Sequence, residues 1–144
     1  MSEHLQDITS GDSHRIWKSA CAIATLRDIQ ELELLAAHLP EIEKATKGID
    51  LGGALFPNQK HLEFALHKLR YFKSKAGCLC RLYPDRLMFN PAREQESGNI
   101  RILETIRGDQ WNDSYACQCA FCGTVFRVEE GEYHYTWWKW EVAE

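Results

Sequence analysis

Phe72-Lys-Ser-Lys-Ala-Gly-Cys-Leu-Cys-Arg-Leu-Tyr83 is the stretch where the chain changes character. Before Gly77 the apolar residues recur at three and four, the spacing of one helix face; after it they alternate, as on a strand. Upstream, Leu62, Ala65, Leu66, Leu69 and Phe72 form one stripe, so a helix is expected from Asn58 to about Lys73. Three shorter helices precede it. One starts near His14 behind Asp12 or Ser13, with Ile16, Ala20, Ile23 and Ala24 on its buried face. Another covers 28–39, and a third, opened by Pro40 and closed by Gly48, covers 41–46. The glycines and proline of 50–58 predict a loop.

Downstream, strands are expected at 78–83, 99–107, 114–120, 124–129 and 133–142, with Glu130-Gly131 as a hairpin turn and 90–98 as a polar connection. Helices followed by strands, without alternation, predict an α+β fold: N-terminal helices packed on a C-terminal antiparallel meander. The expected organisation is a helical region over 1–75 and a β region over 76–144, forming one compact domain.

Composition narrows the function. The 144 residues are 44% apolar and 26% charged, as in a globular protein. The N-terminus carries acids where a secretory signal needs a basic start and an apolar stretch, and no apolar run is long enough for a bilayer. A cytoplasmic protein is expected. Net charge is −4, which disfavours nucleic acid as the main ligand. Charge is unevenly placed: 61–90 carries six basic residues against two acidic ones, whereas 91–144 carries ten acidic against five basic. The basic segment (Lys68, Arg70, Lys73, Lys75, Arg81, Arg86) reads first as a favourable helix end and second as a phosphate-contacting patch.

In a reducing compartment clustered cysteines point to metal or redox chemistry rather than disulfides. Cys78-Leu-Cys80 and Cys117-Gln-Cys119-Ala-Phe-Cys122-Gly123 offer five candidates for four places. The Cys119-x-x-Cys122-Gly turn has the form of a zinc knuckle, whose glycine lets the backbone turn and leaves amides to bond the thiolates. Cys78, Cys80, Cys119 and Cys122 are therefore the expected ligands of a structural zinc in a ribbon-like cluster, with Cys117 able to replace Cys119 or Cys80. Buried free thiols and a Cys-x-x-Cys redox pair are the alternatives, the latter lacking a thioredoxin-like strand–helix context. Cys21, in an apolar helix, reads as core. Four thiolates close the metal shell, where catalytic zinc keeps an open position. No nucleophile motif, phosphate loop or paired-histidine motif is present, and His134 reads as a packed or surface strand residue. A non-enzyme is expected.

Cys-x-Cys, Asn-Pro-x-x-Glu before Gly98, Cys-x-Cys-x-x-Cys-Gly, and Val128-Glu-Glu-Gly-Glu-Tyr-His-Tyr-x-Trp-Trp-x-Trp140 together resemble small bacterial immunity proteins of contact-dependent growth inhibition and polymorphic-toxin systems. The resemblance covers residues 77–142. It implies a stoichiometric inhibitor that binds a cognate protein toxin, such as a nuclease, and occludes its active site. On that reading Glu94 and Glu96 in one loop, Glu129, Glu130 and Glu132 in another, and Trp137 as an aromatic anchor form the partner-binding set. The rival is a zinc-ribbon module that binds nucleic acid or regulates.

Overall fold

The computed structural model describes residues 2–53, 57–109 and 112–143, so the loop expected at 50–58 and the turn around 108–114 fall partly outside it. The chain divides into two compact units, Met1–Gly77 and Cys78–Glu144. Its class is α+β, with a four-stranded antiparallel sheet. No helix among the described residues is long and apolar enough to cross a membrane.

The first unit is helical: α1 (Glu3–Ile8), α2 (Ser13–Thr25), α3 (Ile29–Ala37), α4 (Leu39–Thr46) and α5 (Asn58–Ser74). Side-chain caps set the starts. Asp12 accepts from the Arg15 amide, and Asp28 accepts from the amides of Gln30 and Glu31, satisfying donors that a helix N-terminus leaves open. Ile8, Ile16, Ile23, Leu32, Leu35, Ile42 and Leu69 are fully buried. Three sequence expectations shift here. Helix α1 lies in a stretch read only as lacking a signal. Leu62, Ala65 and Leu69 of the expected stripe on α5 are buried, but Leu66 and Phe72 are half-buried, and Phe64 and Lys68 extend the buried face on its other side. Cys21 is half-buried rather than core.

Lys68 is 3% exposed, and its ammonium donates to the carbonyls of Ala24 (3.1 Å) and Leu26 (2.6 Å). These are carbonyls that the end of α2 leaves without intrahelical partners. Arg70 pairs with Glu43 at 3.1 Å. Lys68 of the basic segment thus serves the packing of the helical unit, whereas Arg70 makes an exposed ion pair on its surface.

The second unit begins with a correction. Residues 78–83 are not a strand: a 3-10 helix spans Leu79–Asp85, with Cys78 as its extended N-cap. The polar connection contains α6 (Pro91–Glu96), capped by Asn90, whose side chain accepts from the Ala92 amide. The sheet therefore has four strands rather than five. They are β1 (Ile100–Ile106), β2 (Ser114–Cys119), β3 (Val125–Tyr133) and β4 (Tyr135–Val142), in sequential antiparallel order. Register slips between Ile102 and Glu104 of β1, the signature of a bulge.

The β3–β4 turn also moves. Tyr133 pairs with Tyr135, so the chain reverses at His134, which has φ +63°. Gly131 lies within β3 opposite Trp137, and a Cβ there would overlap the Trp137 ring. That glycine serves close packing, not a turn.

The core of this unit is aromatic. Trp140, 1% exposed, stacks on Tyr83 at 4.2 Å between centroids and meets Phe126 edge-on at 5.6 Å. Its indole N–H donates to the Phe89 carbonyl at 2.9 Å. Glu94 joins this core: it is 7% exposed and accepts a 2.6 Å hydrogen bond from the Tyr83 hydroxyl.

Candidate metal centre

Two short segments bring the thiols together. Cys78 precedes the 3-10 helix in extended backbone and Cys80 lies in its first turn, so the change of backbone from one to the next swings both sulfurs to one side. The other pair comes from the knuckle between β2 and β3. There the Cys119 amide donates to Thr124 O (2.8 Å) and the Gly123 amide to Cys119 O (3.0 Å). Gly123 has φ +80°, the left-handed conformation that glycine adopts without penalty. The Phe121 amide donates to Cys119 Sγ at 3.4 Å, as the knuckle reading expects. The Ala120 amide donates to the Asn99 carbonyl at 3.0 Å, tying the knuckle to the start of β1.

The sulfurs of Cys78, Cys80, Cys119 and Cys122 all lie within 4.8 Å of one another. Cys78 and Cys119 are 3.7 Å apart, and Cys80 and Cys122 are 3.4 Å apart. A tetrahedral ion with metal–sulfur bonds of about 2.3 Å places its thiolates about 3.8 Å apart. The four cysteines named from spacing are thus close enough to hold one metal ion. Cys117 is outside the group, fully buried in β2 opposite Ile102 and Phe126.

The four sites differ in environment. Burial pushes the Cys78 and Cys80 thiols up from their ordinary value, and burial alone holds Cys117 at about 12. Cys122 is exposed; hydrogen bonds from the side chain and backbone of Thr124 pull it down to about 6. The Thr124 hydroxyl lies 3.2 Å from its sulfur. Thr124 was not singled out from sequence, although a hydroxyl residue directly after Cys-Gly was the available signal.

The other expected site residues separate into two groups. Glu129, Glu130, Glu132 and Trp137 line one cleft of about 290 Å³, with Asp113 and Ser114 on its β2 side. Glu129 and Glu132 are exposed there. Glu130 is held by the Trp138 indole N–H at 2.8 Å, and Asp113 by Arg107 at 2.8 Å. Glu94 and Glu96 are not on a loop and do not line this cleft: both belong to α6. Glu94 points inward to Tyr83, which corrects its expected place on a contact surface, while Glu96 is exposed.

Comparison with known proteins gives no match to a family model, to a curated protein or to a solved structure.

Proposed function

We propose that this chain is a cytoplasmic, non-catalytic immunity protein that binds one cognate toxin domain and covers its active site, with a structural zinc in its C-terminal unit. The zinc assignment follows from the donor set, since four soft thiolates at near-tetrahedral spacing suit zinc and leave no open position for substrate. The partner reading rests on the resemblance of residues 77–142, and the observation that carries it further is the acidic cleft beside Trp137. A carboxylate-lined concavity with an aromatic wall accepts a lysine or arginine of a basic nuclease surface, steering association through charge and holding it through apolar contact. The rival nucleic-acid reading loses support at Lys68, which is buried and caps α2.

The test is protection of cells expressing the toxin encoded next to this gene. Glu129→Lys with Glu132→Lys should slow association and weaken protection, because both carboxylates are exposed at the cleft. Trp137→Ala should speed dissociation by removing contact area. Glu130 is left in place, because its bond to Trp138 makes it part of the fold. A folded triple variant that protects as well as wild type would move the contact surface elsewhere; wild-type protein that never protects would end the immunity reading. For nucleic acid, titration of a random duplex at physiological salt should show no submicromolar, salt-dependent affinity. Such an affinity would restore the rival.

A further inference from the structure

We propose that Cys122 and Cys80 form a peroxide-responsive pair whose oxidation to a disulfide discharges the metal from the four-cysteine cluster. The inference rests on the zinc reading above and adds a means of control to that same site.

The cluster is asymmetric in access. Cys80 and Cys119 are 0% and 2% exposed, Cys78 is half-buried, and Cys122 is open to solvent. A small hydroperoxide arriving from water therefore meets Cys122 first. The sulfur of Cys80 lies 3.4 Å from that of Cys122, on the inner side where solvent does not compete. An exposed thiol beside a buried partner is the arrangement in which a first oxidation is captured as a disulfide rather than carried on to sulfinate. Cys117, fully buried and outside the cluster, is not in line to intervene.

The chemistry balances with hydrogen peroxide as the oxidant. The Cys122 thiolate attacks one peroxide oxygen, the O–O bond breaks, hydroxide leaves, and the remaining O–H stays on sulfur as sulfenic acid. The Cys80 thiolate then attacks that sulfur, the S–S bond forms and the S–O bond breaks, releasing a second hydroxide. Two thiolates lose two electrons in total, peroxide gains them, and two solvent protons convert the hydroxides to water. Two thiolates, Cys78 and Cys119, then remain, too few to hold zinc against solvent.

The experiment treats the full-length, zinc-loaded protein with one equivalent of hydrogen peroxide. It follows zinc with a chromogenic chelator, free thiols by titration and linkages by peptide mass spectrometry. The expected result is one zinc released per chain, two thiols consumed and a Cys80–Cys122 peptide, all reversed by a reductant plus zinc. Cys117→Ala should behave as wild type. Cys122→His keeps a fourth ligand of a kind zinc accepts and removes the oxidisable sulfur, so release should slow more than tenfold. Zinc retained while thiols are lost, a Cys117–Cys119 link, sulfinate at Cys122 without a disulfide, or unslowed release from the Cys122→His protein each overturns the proposal. A wild-type protein that purifies without zinc overturns the zinc reading and this inference together, whereas zinc-loaded protein indifferent to peroxide overturns this inference alone.

Discussion

Cys119→Ser should purify without metal and lose the cooperative melting of residues 78–144. Wild-type protein prepared without added metal should carry close to one zinc per chain by elemental analysis. The expected effect is large. Structural zinc in small domains contributes roughly 10–16 kcal/mol, and whole domains are stable by only about 5–15 kcal/mol. The cluster joins a 3-10 helix to a knuckle 41 and 42 residues further along, beyond what the rings of Tyr83, Trp140 and Phe126 hold together in the same unit. Cys117→Ala is the control, since Cys117 lies outside the cluster and should keep the metal. Acid should act as the serine does. Burial holds the Cys78 and Cys80 thiols above their ordinary value, so protons compete for those sulfurs strongly and zinc affinity should fall as pH is lowered. Metal-free wild-type protein with an unchanged melting temperature would refute a structural metal.

Trp140→Ala should destabilise the second unit by about 3–5 kcal/mol, the usual range for removing a large buried aromatic. Two costs combine. The Tyr83 face and the Phe126 edge lose their partner, and the Phe89 carbonyl loses the indole donor at 2.9 Å. Trp140→Phe removes the donor but keeps a six-membered ring in the stack, so it should cost less, about 1–3 kcal/mol if the carbonyl stays dry. Urea denaturation followed by circular dichroism measures both. Equal losses in the two variants would mean that the hydrogen bond, not the stacked ring, dominates at this position.

Where the sequence was legible, several residues carried the same signal. Helix α5 repeats its period over four turns, and the cysteine spacing limits the geometries available, so both were readable. The Cys78-Leu-Cys80 segment misled because an alternating triplet fits a strand's period as well as the entry to a 3-10 helix, and only Pro84 within that helix argued against a strand. Helix α6 was missed because six residues are too short to show a period, although Asn90-Pro91 is an N-cap followed by proline in the first turn. Glu94 reads as a surface acid because no sequence rule announces that a tyrosine hydroxyl eleven residues earlier will donate to it. Gly131 attracted the turn assignment because glycine usually marks one; here it clears space for the Trp137 ring, and a histidine accepts the left-handed backbone instead. The acidic cleft depended on pairing across β3 and β4, which residue order alone cannot display.

The distance along the chain between the two cysteine pairs sets an order of events during synthesis. The helical unit is made of residues 1–77, so all of it is synthesised before the first cysteine of the cluster. Cys78 and Cys80 emerge next and wait for partners 41 and 42 residues behind them. At translation rates of about 5–20 residues per second that wait lasts roughly 2–8 s. During that interval two thiols have been made and their counterparts have not. On the proposed metal reading, a shell of four thiolates cannot close until the knuckle has been made.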